Sequence, residues 1–317
     1  MTSVVLLVVA FAIAFFVSMV VGASSVSVSM APAVGAGSVN VLRGAFFVGI
    51  FGFLGAVLQG ASVATGVSDR IVSGGVSFEM GLVSLFVIGL FIALGIVAEH
   101  SIPAAFSTFG SVAGTGIAAG QEPRLAYWYL VFAAWIATGV VAALLGYVLA
   151  LTVQRLLERR DVSPTRMDSI IVGIGIVFSF VGGGSQVGLA IGPLVGVSES
   201  LGIGLYPLLA FGGLGILVGA WVVSSVMLNA VGRHYASLGQ DTSIAVLATA
   251  VPMVQVVANV LGVPISYNHI IINSIAGCGR ATGSGVDLDK LAFTIASWIA
   301  TLVGSFAVGY GIYAALA

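Results

Sequence analysis

Eight stretches of almost unbroken apolar residues, at about 3–21, 41–61, 80–98, 125–151, 168–182, 202–228, 241–262 and 290–316, alternate with short polar segments. Each is long enough to cross, or nearly cross, a bilayer as a helix. Two shorter segments, about 101–118 and 264–280, start near Pro103 and Pro264 and carry Ser, Thr, Asn and Gly. They read equally as re-entrant hairpins or as short spans. The stretch from Val4 to Val21 has no Lys or Arg ahead of it, which favours a retained first helix over a cleaved leader.

One polar run interrupts this pattern twice. Gly22-Ala23-Ser24-Ser25-Val26-Ser27-Val28-Ser29-Met30-Ala31-Pro32-Ala33-Val34-Gly35 lines up with the stretch from Gly183 to Gly196, because 183 − 22 and 193 − 32 both give 161. Pro103 and Pro264 differ by the same 161, as do Gly116 and Gly277. Phe51-Gly52-Phe53-Leu54-Gly55 matches Phe211-Gly212-Gly213-Leu214-Gly215, and Trp135-Ile136-Ala137-Thr138 returns verbatim at Trp298-Ile299-Ala300-Thr301. Landmarks recurring in one order mark an internal duplication. The reading is an all-α polytopic membrane protein of two halves, residues 1–152 and 169–317, joined by a cytoplasmic linker at 153–168.

Composition agrees, since 59% of the residues are hydrophobic and 7% charged, which excludes an ordinary soluble domain. The linker holds Arg155, Arg159, Arg160 and Arg166. If each half crosses five times the halves are inverted and both termini lie outside. Arg43, the four linker arginines, Arg233, Arg280 and Lys290 then fall inside, against Arg70 and Arg124 outside, as the positive-inside rule asks. A net charge of −1 gives no sign of nucleic acid, and the single Cys278 excludes an intramolecular disulfide. There is no G-x-x-x-x-G-K-[ST] loop and no H-E-x-x-H pair, so neither a nucleotide-driven pump nor that kind of metalloenzyme is encoded here. No cofactor or metal is expected.

Clustered Gly and Pro at membrane depth free backbone groups that only protein or a polar cavity can satisfy. Gly22 with Pro32, Gly183 with Pro193, Pro103 and Pro264 are therefore the expected helix breaks. Half-helix N-termini point N–H groups at an anion, while freed carbonyls can hold a cation. Hydroxyl and amide donors beside the breaks suit an oxyanion in a low-dielectric site. Ser24, Ser25, Ser185, Gln186, Ser107, Thr108, Ser266 and Asn268 are the candidate binding residues. Ser27 and Ser29 read as helix-packing residues. Glu99, His100 and His269 stand beside the proline segments, where Glu99 or His269 is a candidate to carry a coupling proton. For His100 and Glu99 an interfacial or capping role is favoured. Glu79, Asp241, Asp287 and Asp289 read as acidic helix starts facing water.

These motifs resemble the inorganic phosphate transporter family. Its G-A-N-D-V-A-N-A signature is similar to the first run through Gly22, Ala23, Val26, Val34 and Gly35. The second run keeps Gly183, Val187, Ala190, Ile191, Gly192, Pro193 and Leu194. Phe53-Leu54-Gly55-Ala56-Val57-Leu58 with Gly60-Ala61 looks like the family's F-L-G-A-V-L-x-G-A run. Gly262-Val263-Pro264-Ile265-Ser266-Tyr267-Asn268-His269 stands where it has G-x-P-x-S-T-T-H. The duplication and the charge distribution read as two inverted five-segment repeats with broken helices and re-entrant hairpins. The resemblance implies a permease in the cell membrane, moving phosphate by alternating access with a coupling cation. Sulfate transport, or a non-transporting sensor or interaction protein, is the alternative, and a homodimer stays open. The family's Asn-Asp pair is Ser24-Ser25 in one half and Ser185-Gln186 in the other; its later Asn is Val28 and Leu189, and its Glu is Gly52. In the family the carboxylates and amides at these positions are implicated in the cation, so their loss favours proton over sodium.

Overall fold

A computed structural model of the chain describes residues 4–98, 100, 102–235, 239–283 and 288–317. Among them eight helices are long and apolar enough to cross a membrane, one for each apolar stretch of the sequence. Helices are the form such stretches must take, because lipid offers the backbone no hydrogen-bond partners. Leu42, Val97 and Ile136 point outward, while Ser, Thr, Gln and Asn side chains are buried, the reverse of a soluble protein.

The first half runs α1 (Val4–Ser24), a 3-10 turn (Val26–Met30), α2 (Ala31–Gly35), α3 (Val41–Gln59), α4 (Ala61–Asp69), α5 (Phe78–Val97), α6 (Ala104–Ala118) and α7 (Leu125–Arg160). The second repeats that order as α8 (Pro164–Ile191), a 3-10 turn (Gly192–Leu194), α9 (Val195–Ser200), α10 (Leu205–Val222), α11 (Ser224–Tyr235), α12 (Gln240–Val254) with a π-helical end (Gln255–Val260), α13 (Tyr267–Thr282) and α14 (Leu288–Leu316). Glu79, Asp241 and Asp289 fall in the first turns of α5, α12 and α14, where a carboxylate suits the helix dipole. Asp287 lies outside the described residues.

The linker is almost entirely helical. Arg155, Arg159 and Arg160 belong to the last turns of α7, where basic side chains suit the dipole, and Arg166 to the start of α8. The chain reverses over three residues, with Asp161 in the left-handed region at φ 45° and Pro164 opening α8. Near this end Asp168 Oδ1 accepts hydrogen bonds from Ser38 Oγ and Gln240 Nε2, both at 2.5 Å. At the far end of α7, Ser73 N–H donates to the Glu122 carbonyl at 2.9 Å, and the Arg124 guanidinium binds the carbonyls of Val72 and Ser73 at 3.1 Å. Arg70 and Arg124 thus share the end opposite the four linker arginines.

Helix directions follow from the close contacts. Phe11 and Phe15 pack on Phe211, Ser18 on Gly215 and Met19 on Gly219, so α1 and α10 run the same way. Gly52 meets Ser179, Gly184 meets Gln59 and Gly192 meets Val67, so α3, with α4 continuing it, runs the same way as α8. Gly44 lies against Met30 and Val34, and Gly52 against Val26, so α3 runs opposite to the α1–α2 rod. Hence α1 and α8 point in opposite directions. Small residues at these crossings let the backbones approach.

That packing corrects two of the expected breaks. Gly22 lies inside α1 and Gly183 inside α8, which continues to Ile191. A Cβ on Gly22 meets the Ile216 backbone, and one on Gly183 meets the Gly52 backbone. These glycines serve helix–helix approach, and the helices end at Ser25 and Gly192 instead.

Candidate functional site

The site is assembled around the second half of α8. Pro32 sits in the first turn of α2, and Pro193 in the one-turn 3-10 helix after α8. Pro103 is the residue that caps α6; Pro264 stands two residues ahead of Ser266, which caps α13 by accepting from the His269 N–H at 3.2 Å. Both prolines stand just ahead of helices, where a ring with no N–H is tolerated.

Ser24 ends α1 and Ser25 is the residue at the turn, their hydroxyls 3.5 Å apart. At the equivalent positions in α8, Gln186 Nε2 donates to Ser185 Oγ at 3.2 Å, and Ser185 Oγ donates to the Gly182 carbonyl. All four side chains are buried. Among the described residues no hydrogen bond joins one pair to the other. Ser29 and Ser179 hydroxyls, 2.7 Å apart, tie the first turn segment to α8. Ser27 Oγ donates back to the Ala23 carbonyl, and Ser29 Oγ to Val26, the local bonds of serines that pack helices.

The two proline-led tips reach α8 on either side of Ser185 and Gln186. Thr108 Oγ1 donates to the Leu189 carbonyl at 3.2 Å. Tyr267 donates its hydroxyl to the Phe178 carbonyl and stacks on the Phe178 ring at 4.1 Å. Next to these anchors lie polar atoms with nothing to bond. Ser107 Oγ and Asn268 Oδ1 are buried and have no partner among the described residues, and 268 − 107 is again 161. Unpaired buried polar groups are rare, and each asks for an absent partner or a function. The two stand one residue from the two anchors, so they flank the α8 stretch that holds Ser185 and Gln186. Amide orientation is interchangeable, so Asn268 can present either oxygen or NH2 at that point.

His269 Nδ1 is likewise buried and unpaired, with the ring edge-on to Trp298 at 5.1 Å. Glu99 lies outside the described residues. His100 Nε2 and Ser297 Oγ are 2.8 Å apart, and partial burial holds the imidazole below its ordinary titration range, as fits a neutral group tying a loop to α14. Two features escaped the sequence reading. One is Tyr267, which fills a position where the resemblance suggested a threonine. The other is an amide cluster in which Asn259 Nδ2 lies within 3.0–3.1 Å of Gln59 Oε1, Gln255 Oε1 and the Val181 carbonyl. The π-helical turn carrying Gln255 and Asn259 marks it, an unusual local form.

Comparison with known proteins bears on this geometry directly. The model of the phosphate transporter family matches residues 21–174 and 158–309. The chain belongs to the phosphate transporter family. A Pyrococcus furiosus protein named "Putative phosphate permease" is 23% identical over 95% of this chain and 94% of its own length. The Arabidopsis thaliana protein "Inorganic phosphate transporter 2-1, chloroplastic" is 30% identical, over 39% of this chain and 23% of its own. The solved structure called "The sodium-dependent phosphate transporter" shares the fold, with a TM-score of 0.87 at 20% identity over 98% of this chain and 99% of that one. As a member of this transporter family the protein is a multi-pass membrane permease, not an enzyme.

Proposed function

We propose that the protein carries inorganic phosphate across the cell membrane by alternating access between two inverted repeats. Phosphate binds between Ser24, Ser25, Ser185 and Gln186 and the tips of α6 and α13, through Ser107, Thr108, Ser266 and Asn268. The observation that carries this reading is the pair of buried, unpaired atoms, Ser107 Oγ and Asn268 Oδ1, at equivalent places in the two halves. A tetrahedral oxyanion supplies several acceptors at once, which is what a hydroxyl and a rotatable amide can bind. The family assignment and the relatives named for phosphate support the choice of anion.

The opposite directions of α1 and α8 support inversion. Gly309 packs on Ser111 and Thr115, so α14 ends towards the same end as α6, where α1 begins. With the arginine-rich linker in the cytoplasm, both termini lie outside. At the signature positions three hydroxyls and an amide stand where the resemblance puts Asn-Asp pairs, and His269 offers a buried ring nitrogen instead; proton coupling fits these residues better than sodium coupling.

Uptake of radiolabelled phosphate into proteoliposomes, under an imposed proton or sodium gradient, tests the proposal. Phosphate flux driven by an inward proton gradient is expected, with sulfate competing weakly. Sulfate flux above phosphate flux overturns the substrate. No flux and no binding of either anion overturns the permease, and leaves a non-transporting sensor of the same fold.

A further inference from the structure

The verbatim repeat Trp-Ile-Ala-Thr places one tryptophan in each half, and the structure treats the two differently. Trp135, on α7, is buried and donates its indole N–H to the Pro264 carbonyl at 2.7 Å. That bond fixes the backbone two residues ahead of Ser266, and so the α13 tip with Asn268. Trp298, on α14, is also buried, yet its indole N–H has no partner among the described residues. Its counterpart acceptor is the Pro103 carbonyl at the start of α6, which here takes the Phe106 and Ser107 N–H groups at 3.2 and 3.3 Å and keeps room for a further donor on its second lone pair. Ser297, beside Trp298, bonds His100, and Ser305 Oγ reaches the Phe106 carbonyl at 3.5 Å, so Pro103 lies between two points already tied to α14. Phe106 is sandwiched in this region, its ring 4.0 Å from Trp135 and 6.4 Å from Trp298.

Two repeat-related indoles, one bonded to the proline segment ahead of its partner helix and one left unpaired, are what an inverted repeat produces when its halves hold different conformations. We propose that Trp135 and Trp298 are alternating positioning residues. In this state Trp135 holds the Pro264 carbonyl and the α13 tip; in the opposite-facing state Trp298 takes the Pro103 carbonyl and holds the α6 tip while Trp135 lets go. Each conformation then satisfies one indole and leaves the other unpaired, so the two are near in energy and a bound anion can bias them. The inference rests on the alternating-access reading above and adds the residues that set its balance.

The test uses the full chain in proteoliposomes, with Cys278→Ser to remove the native thiol and Ser200→Cys as reporter. Ser200 lines a cavity of about 390 Å³ with Leu7, Val76 and Ser77 at the Arg124 end, which on this proposal closes in the opposite-facing state. Labelling by a membrane-impermeant maleimide is followed without phosphate, so the result does not depend on what is carried. Trp135→Phe, which removes the bond unique to this state, slows labelling by about fivefold, the worth of one neutral hydrogen bond. Trp298→Phe removes the bond unique to the other state, so it speeds labelling and slows phosphate turnover. The double variant returns towards the parent. Trp298 has no bond to lose here, so Trp298→Phe keeps the fold and carries the test alone if Trp135→Phe fails to assemble. Labelling that shifts in the same direction in both variants, or in neither, overturns the proposal. Phosphate flux absent from the parent vesicles, with opposite labelling shifts intact, overturns the substrate instead.

Discussion

The two copies of the polar run begin alike and end differently. In the first, α1 stops at Ser24 and a 3-10 turn over Val26–Met30 leads into α2. In the second, α8 continues through Gly183, Gly184, Ser185 and Gln186 and stops only at Ile191. The same Gly-to-Pro spacing therefore gives a break at the hydroxyls in one half and a continuous helix past them in the other. Glycine lowers helix propensity by only about 1 kcal/mol, which tertiary packing readily outweighs. Along α8 the glycines let α3 and α4 approach: a Cβ on Gly183 would meet the Gly52 backbone, and one on Gly188 would meet Val63 and Ala64. What looks like a break in sequence is a contact surface in the fold.

The strongest way to break this comparison is to add a side chain at the crossings. Gly183→Val and Gly22→Val each drive a branched side chain into facing backbone, which cannot yield as a flexible side chain does. Each should destabilise the protein by about 3 kcal/mol and largely abolish assembly. Gly173, on the same helix with no neighbour within 4 Å of its Cβ position, should accept Ala with no loss. Detergent melting curves check all three, and a Gly183→Val protein as stable as the parent would mean that α8 bends away there.

The second difference is the amide cluster, which joins Gln59 of the first half to Val181, Gln255 and Asn259 of the second and has no repeat-related copy. At the spacing of 161, Gln59, Gln255 and Asn259 correspond to Ala220, Leu94 and Ala98. One amide nitrogen serves three oxygens from α3, α8 and the end of α12. Asn259→Leu leaves those oxygens without their donor and should cost about 1–3 kcal/mol of stability. Ala98→Leu, at the corresponding place in the other half, removes no bond. Equal melting of the Asn259→Leu variant and the parent would show that the cluster holds nothing together.

Much of this architecture could be read from residues alone. Eight apolar runs, two proline segments and the offset of 161 foretold the helices and their repeated order, because lipid leaves the backbone few options. The candidate site was legible in part. Burial of Ser107 and Asn268 followed from polar residues lying within apolar sequence, but that both keep an unpaired atom depends on packing between halves, which spacing does not encode. Tyr267 is not legible as an anchor in the sequence, since a tyrosine at membrane depth ordinarily reads as packing; its bond to Phe178 is visible only once α13 meets α8. Gly183 misled for a related reason: glycine permits both a break and a close approach, and the facing helix decides.

Unpaired atoms give the next prediction an unusual sign. Ser107→Ala and Asn268→Ala delete polar groups that bond nothing in the empty protein, so neither should lower its melting temperature, and Ser107→Ala should raise it slightly. Both should weaken phosphate binding, by about tenfold for Asn268→Ala and less for Ser107→Ala, the cost of losing a donor to a charged ligand. Isothermal titration beside melting curves separates the two effects. Loss of stability with unchanged binding would make the pair structural.

The smallest effect bears on the polar pairs at the head of each run. Ser24 and Ser25 stand where a helix ends, so their backbone as well as their hydroxyls can face a ligand. Ser185 and Gln186 stand inside a helix whose N–H groups are already engaged, so only their side chains are free to act. Replacing side chains by alanine should therefore hurt the second pair more. Gln186→Ala is expected to raise the KM for phosphate about fivefold and Ser25→Ala about twofold, with kcat nearly unchanged in each, as loss of a ligand contact common to all steps implies. Equal effects would mean that the α8 backbone opens at Ser185 during transport, as the matching sequence first suggested. No effect from either, alone or together, would move the binding site away from these pairs and onto the tips of α6 and α13.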